Sequence, residues 1–349
     1  MIQALRMFWK WAETGDPTLA GHGSLQEIKN KGAAPSDPII VESFFDNNSI
    51  KMEIEFEDMD KAFGFAGSNG VGFDQAPFGR NEAGAQFKLN PYKKKASELP
   101  FMSYVSADRW GPRVSLPMFT FAGDLNHVGE YGQYAIDFLS RNERAIVPNL
   151  LRHPNSQGDT LKYNVRAWLE EIAPNIEFKH GTDKQRDMAF ATINDFRPTN
   201  TGFGLSYTLP IIIILLGMAA TMEDSKKQKE KALRGALVLL ENPEAHIHPK
   251  GQTSIGKLIS LAAACGVQVI VETHSDHLMD GIRIAVKEGE LNAEDAAFHY
   301  FTSHLTPDKN RFPSTVVETP KIDSNGKLTY WPKGFFDQTM HNCAILARR

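Results

Sequence analysis

The sequence predicts an α/β protein with a β-rich N-terminal lobe and a central, mostly parallel sheet. Two continuous apolar strands, Ala236 to Leu240 and Val267 to Val271, alternate with helical patterns at Lys250 to Ala264 and Asp276 to Lys287. Apolar strands alternating with helices build a parallel sheet covered on both faces. Earlier in the chain, Ile50, Met52, Ile54 and Phe56 alternate with Lys51, Glu53, Glu55 and Glu57, the period-two pattern of a half-buried antiparallel strand. With 349 residues, 42% hydrophobic and 23% charged, the chain falls outside the disordered and fibrous classes.

The elements follow in order. Ile2, Leu5, Phe8 and Trp9 at helical spacing predict a helix already under way at the first residue. A Gly/Pro/polar stretch from Thr14 to Pro38 leads to the alternating strand, then to a loop, GFAGSNGVG, at Gly64 to Gly72. Gln86 to Leu89 and Phe101 to Ser106 read as further strands of the same lobe. Helical patterns dominate from Val128 to Pro174, notably Leu161 to Ile172, where Val165, Trp168, Leu169 and Ile172 share a face. A strand at Met188 to Ile193 precedes a long apolar helix, about Phe203 to Ala220, and a charged connector, Thr221 to Arg234. After the α/β unit, Ala296 to Trp331 reads as short strands. These shifts divide the chain at 1–127, 128–200, 201–290 and 291–349.

Composition bounds the function. Lys+Arg 38 against Asp+Glu 42 gives a net charge of −4, so the whole-chain field does not attract nucleic acid, although a local basic patch is compatible with it. Lys93, Lys94 and Lys95 form a short basic run, read as a solvated loop or a phosphate contact. Cys265 and Cys343 make neither a disulfide framework nor a CxxC metal motif, which suits a reducing cytoplasm. The apolar run Leu209 to Ala220 would extend about 18 Å as a helix against about 30 Å of bilayer core, so a buried helix and no membrane span is expected. The N-terminus lacks the cleavage site of a signal peptide.

Three segments carry chemistry. In LVLLENPEAHIHP, Leu237 to Pro249, an apolar strand delivers Glu241 to its end, followed by Asn242, Glu244, His246 and His248. At the carboxyl edge of a parallel sheet such groups line the ligand crevice, and a carboxylate there can hold Mg²⁺ beside nucleotide phosphates. The alternative is a polar strand-to-helix turn whose Glu244 or His caps the next helix. Val267 to His277 repeats the form, with Glu272, Thr273, His274, Ser275, Asp276 and His277 after the strand. In TGFGLSYTLPIIIILL, Thr201 to Leu216, Gly202 and Gly204 bring backbone close to something and Ser206 sits near a helix start, where free N–H groups bind anions.

These three segments, in this order, resemble the ATPase core of the ABC/SMC-like superfamily, particularly the bacterial AAA-family ATPases related to the overcoming-lysogenization-defect proteins. YVSADRWGPR (Tyr104 to Arg113) and GKLTYWPKGFFDQ (Gly326 to Gln338) resemble stretches of a subgroup ending in a small domain of unknown function. The resemblance implies an ABC-type P-loop NTPase head that uses ATP and Mg²⁺. It implies Glu241 at the Walker B acidic position, holding Mg²⁺, and Ser206 as the signature serine. Asn242 to His248 then form the D-loop region, with His246 and His248 near the nucleotide, and His274 is the switch histidine. It further implies a homodimer that sandwiches ATP between two heads and works with an effector or nuclease, on DNA, or in phage defence.

Two departures stand against the family pattern. Asn242 occupies the position where a catalytic Glu usually follows the Walker B acid and cannot take a proton from water, which leaves Glu244 or His274 for that work. No usable P-loop is present: GQTSIGKL, Gly251 to Leu258, follows Pro249 rather than a strand and has Leu258 where Mg²⁺ needs a hydroxyl. Family members carry that loop immediately before a helix like Met1 to Trp11, so the sequence reads as starting just after it. The expectations are then poor ATP binding by this chain alone and a gap in the middle of the parallel sheet where the P-loop strand is missing.

Other readings stay open. A P-loop-less, non-hydrolysing protein would use the same surfaces to bind a partner ATPase or nuclease. His246 and His248 with a third ligand would bind a transition metal, and Glu241, Glu244 and Asp276 a nuclease metal. Asp108, Arg109 and Arg113 lie near the nucleotide or pair among themselves.

Overall fold

The computed structural model describes residues 1–14, 16–22, 28, 37–45, 48–55, 78–80, 86–89, 99–121, 126–227, 235–304 and 314–348. They form two units, Met1–Leu99 with Thr302–Val316, and Pro100–Phe301 with Val317–Arg349.

In the first unit, helix α1 (Ile2–Thr14) buries Ile2, Met7, Phe8, Trp9 and Trp11, and the Phe8 and Trp9 rings meet edge-on at 5.5 Å. Four strands follow: β1 (Ile39–Phe45), β2 (Asn48–Glu55), β3 (Phe78–Arg80) and β4 (Gln86–Leu89). They form an antiparallel sheet in the order β1-β2-β4-β3. The period-two pattern of 50–56 is therefore β2, and Met52 is fully buried. Phe56, the GFAGSNGVG loop and Lys93 to Lys95 lie outside the described residues.

The second unit holds the parallel sheet. Its elements are β5 (Phe101–Val105), β6 (Leu116–Pro117), α2 (Ala135–Asn142), α3 (Leu161–Ile172), β7 (Phe178–Asp183), β8 (Met188–Ile193) and α4 (Phe203–Lys227). Then come β9 (Ala236–Glu241), α5 (Pro249–Ala264), β10 (Val267–Glu272), α6 (Asp276–Lys287) and α7 (Gln338–Leu346), while β11 (Tyr300–His304) and β12 (Ser314–Glu318), which pair with each other, have residues in both units. Strands β10, β9 and β5 run parallel in that order, with Glu272 opposite Glu241 and Phe101 opposite Ala236. The fold class read from sequence holds: an α/β chain with an all-parallel sheet among the described strands.

One expectation is corrected here. The stretch 101–106, grouped by sequence with the N-terminal lobe, is β5 of the parallel sheet. A five-residue strand carries no parity signal to say which sheet it joins, and its partner lies far along the chain. In β9 every residue from Ala236 to Leu240 is 4% exposed or less, whereas Val269 to Val271 of β10, at the end of the order, are half-buried.

A second, antiparallel sheet, β6-β8-β7, packs on the same core. Helix α4 runs through that core: Ile211 to Leu216 are all fully buried, and continuous burial of this kind favours a helix apolar on every side. Its stretch Phe203–Glu223 is long and apolar enough to cross a membrane, yet 67% of it is buried inside the protein. It is a core helix, longer than the apolar run because it continues through the charged segment to Lys227.

The string GQTSIGKL lies within α5, with Ile255 and Leu258 in the core. Gly256 is there for packing: a Cβ at this position would lie 2.1 Å from the Leu278 carbonyl oxygen, and one at Gly281 of α6 2.2 Å from that of Thr253. Only paired glycines let the two helix backbones touch.

Candidate functional site

Three strand ends meet at the carboxyl edge of the parallel sheet. Beyond Glu241 the chain turns through Asn242, at φ 43°, and His246, at φ 63°, left-handed conformations that Asn and His tolerate better than most residues. The Asn242 N–H donates to the Glu272 carbonyl at the end of β10 (2.9 Å), so the two strand-end loops are tied side by side. Glu244 Oε1 then accepts the backbone N–H of His274 at 2.7 Å. Its Oε2 is buried and has no hydrogen-bond partner among the described residues. The His274 imidazole is 82% exposed, with Nε2 3.0 Å from Glu272 Oε1. One residue on, Ser275 caps α6: its Oγ accepts the Leu278 N–H at 3.0 Å and donates to Gln252 Oε1 at 2.6 Å.

The end of β5 supplies the donors. Tyr104 donates its hydroxyl to Glu241 Oε2 at 2.9 Å, and the Ala107 N–H approaches the same oxygen at 3.4 Å. Arg109, 2% exposed, gives Nη1 to the carbonyls of Ser106 (2.8 Å) and Glu241 (2.7 Å) and Nη2 to that of Asn242 (2.7 Å). Burial pulls its guanidinium down to about 10, opposed by the nearby Glu244, Tyr207 and Glu241, so it stays charged at neutral pH. Its partners are main-chain carbonyls, while Arg113 lies over the Trp110 ring at 5.2 Å and Asp108 is exposed. The reading in which these three pair with one another is thereby corrected.

The start of α4 forms the third side. A Cβ on Gly204 would lie 2.5 Å from the His246 carbonyl oxygen, so glycine is required for that approach, whereas Gly202 has open space around it. The Tyr207 ring meets His246 at 4.5 Å, tilted by 59°, and lies under the Arg109 guanidinium at 5.6 Å. Ser206 lines an open cleft of about 450 Å³ with Trp110, Arg113, Leu209 and Pro210. Pro210 cannot donate back to the Ser206 carbonyl, as an ordinary helical residue at that position would.

The structure thus brings together Glu241, Asn242, Glu244 and His274, and joins His246 to them through Tyr207 and Gly204. His248 precedes α5 as its exposed cap residue. Among the described residues no three His, Cys, Asp or Glu side chains are placed to hold a metal ion. Mg²⁺ makes a smaller demand, one or two carboxylates with waters and phosphates completing the shell. Glu241 suits it: both of its hydrogen bonds fall on Oε2, leaving Oε1 for an ion. Sequence reasoning missed Tyr104 and Tyr207. Their signal, aromatic hydroxyls at a strand end and beside a helix-start serine, is indistinguishable from core aromatics until the partners are known.

Residues 137–279 match a family model described as an AAA ATPase domain, and residues 291–346 one described as a protein of unknown function, DUF3696. No curated protein matches the sequence. Among solved structures, the SMC head bound to the C-winged helix domain of ScpA aligns at 11% identity and TM-score 0.26, over 46% of this chain and 42% of that one. An SMC ATPase described for its ATP-driven dimerization and DNA-stimulated activation aligns at 12% identity and TM-score 0.29, over 62% of this chain and 98% of that one. The chain spans less than half the length of the first, and at these TM-scores the likeness is too loose to assign residues. The family models are firmer: residues 137–279 are similar to an AAA ATPase domain, and the C-terminal stretch that follows is similar to a domain of unknown function.

Proposed function

We propose that the AAA ATPase domain carried by this chain is an ATP-binding and ATP-hydrolysing switch of the ABC/SMC-like kind, acting in the cytoplasm as a dimer of heads that drives an effector. One observation supports this most: the hydrogen bond from the His274 N–H to Glu244, which unites the ends of β9 and β10 beside Glu241. ATP supplies the phosphoanhydride and Mg²⁺ the charge that steadies it. Glu241 holds the ion through Oε1 while Tyr104 fixes Oε2. Glu244, whose Oε2 has no partner among the described residues, accepts the proton of the attacking water, the task Asn242 cannot perform. His274 orients that water or contacts the terminal phosphate. Ser206, at the start of α4, faces the nucleotide of the partner head.

The test is Mg²⁺-dependent ATP hydrolysis by a full-length version that includes a P-loop, because poor ATP binding is the expectation for these 349 residues alone. Glu241→Gln is expected to lower it by about a hundredfold or more, the scale on which one catalytic group acts. Unchanged turnover in that variant overturns the assignment. Asn242 favours a second reading, a non-hydrolysing protein that partners an ATPase or nuclease; ATP binding without turnover in the unaltered chain selects it.

A further inference from the structure

Arg109 joins segments to which the proposed reading gives different tasks. Its fork holds the carbonyls of Glu241 and Asn242 at 2.7 Å each, and its face meets Tyr207. On the far side of the loop, Tyr207 and Gly204 of α4 hold His246. Residues 242–246 are therefore pinned at both ends, and each pinned end is a non-glycine residue in left-handed backbone. Such conformations are strained and persist only where the surroundings impose them. A planar guanidinium bonds two successive carbonyls at once and stacks on an aromatic ring, which an ammonium does less well. The nearby Glu241 and Glu244 carboxylates offset the cost of burying its charge.

We infer that Arg109 and Tyr207 form a latch between the start of α4 and the loop bearing Asn242 and Glu244. What touches Ser206, the residue before Tyr207, thereby resets Glu241 and Glu244. The transmitted event rests on the ATPase reading; the latch does not. Both are positioning residues that touch no substrate. Moving α4 displaces Tyr207 from His246 and from the guanidinium together. The loop then loses its support at His246 while the Arg109 fork loses the ring that orients it.

The experiment is amide hydrogen exchange on the full chain, unaltered and as Arg109→Ala, Arg109→Lys and Tyr207→Leu, without nucleotide. Arg109→Ala is expected to speed exchange across 242–246 by tenfold or more while β5 and the core of α4 keep their protection. Guanidinium chloride at tens of millimolar, far below the molar range in which it denatures, is expected to restore the slow exchange, and sodium chloride at equal concentration is not. Tyr207→Leu is expected to loosen the same loop. Unchanged exchange at 242–246, or loosening spread evenly through the sheet and not reversed by guanidinium, overturns the latch. Should Arg109→Ala not fold, Arg109→Lys decides: faster exchange confined to the loop supports the latch, and unchanged exchange overturns it. Adding Mg²⁺ and ATP to a full-length version that includes a P-loop separates the two ideas, because no response at 203–208 or 241–246 counts against the ATPase reading while leaving the nucleotide-free comparison intact.

Discussion

Glu244 holds the backbone of His274, thirty residues away in sequence, with a 2.7 Å bond from the His274 N–H to Oε1, while its second oxygen stays buried without a partner among the described residues. One carboxylate thus fixes the neighbouring loop and still offers an acceptor. Glu244→Gln keeps an oxygen for the His274 N–H and removes the base. It is expected to slow ATP hydrolysis by about a hundredfold and to change stability by about 1 kcal/mol or less. Steady-state turnover together with urea unfolding checks both halves.

Tyr104 is expected to act through Glu241. A hydrogen bond to a charged group contributes roughly 1.5–3 kcal/mol, so Tyr104→Phe should destabilise the protein by about that amount. It should also weaken the Mg²⁺ dependence of turnover, since Glu241 loses the hydroxyl that holds it in place. A Mg²⁺ titration equal to that of the unaltered chain would count against this role.

The α5–α6 contact leaves no room for a methyl group. Gly256→Ala and Gly281→Ala would each press a Cβ against a backbone carbonyl at 2.1–2.2 Å, which forces the helices apart. Overpacking of this sort typically costs about 1–3 kcal/mol, and more when backbone must move. Thermal unfolding should show both variants well below the unaltered chain, with exchange accelerated along α6.

His180 on β7 is buried, and its Nδ1 has no partner among the described residues. Burial pushes its pKa down to about 4; Glu143 opposes the shift, and Lys162 and Arg166 add to it. The unfolded chain binds the proton near pH 6.5 and the folded one only near pH 4. Stability contributed by the neutral ring is therefore complete above about pH 6.5 and is lost as pH falls toward 4, to a total of about 3 kcal/mol. His180→Phe should flatten that part of the curve when urea midpoints at pH 7.5 and pH 5 are compared.

Local pattern made the α/β unit legible. Met188–Ile193 and Asp276–Lys287 have the limits that periodicity assigns them, because an apolar run or a helical stripe is written in consecutive residues. The same holds for the strand-end residues Glu241, Asn242, Glu244 and His274, whose placement needs only a strand and its direction. Strand β7, FKHGTD, had no such signal, since its Gly and polar residues reach strand geometry through pairing with β8.

What the sequence determined by itself was therefore the order of strands and helices, the parallel character of the sheet and the carboxyl edge where Glu241 and His274 end up. Tertiary structure decided the rest: that β5 lies beside β9, that Tyr104 grips Glu241, that Arg109 turns to three main-chain carbonyls rather than to Asp108, and that Gly204 and Tyr207 close on His246. The physical reason is range. Periodicity records which side of an element is buried, but a hydrogen bond between residues 132 or 137 positions apart leaves no trace in either neighbourhood until packing brings the two together.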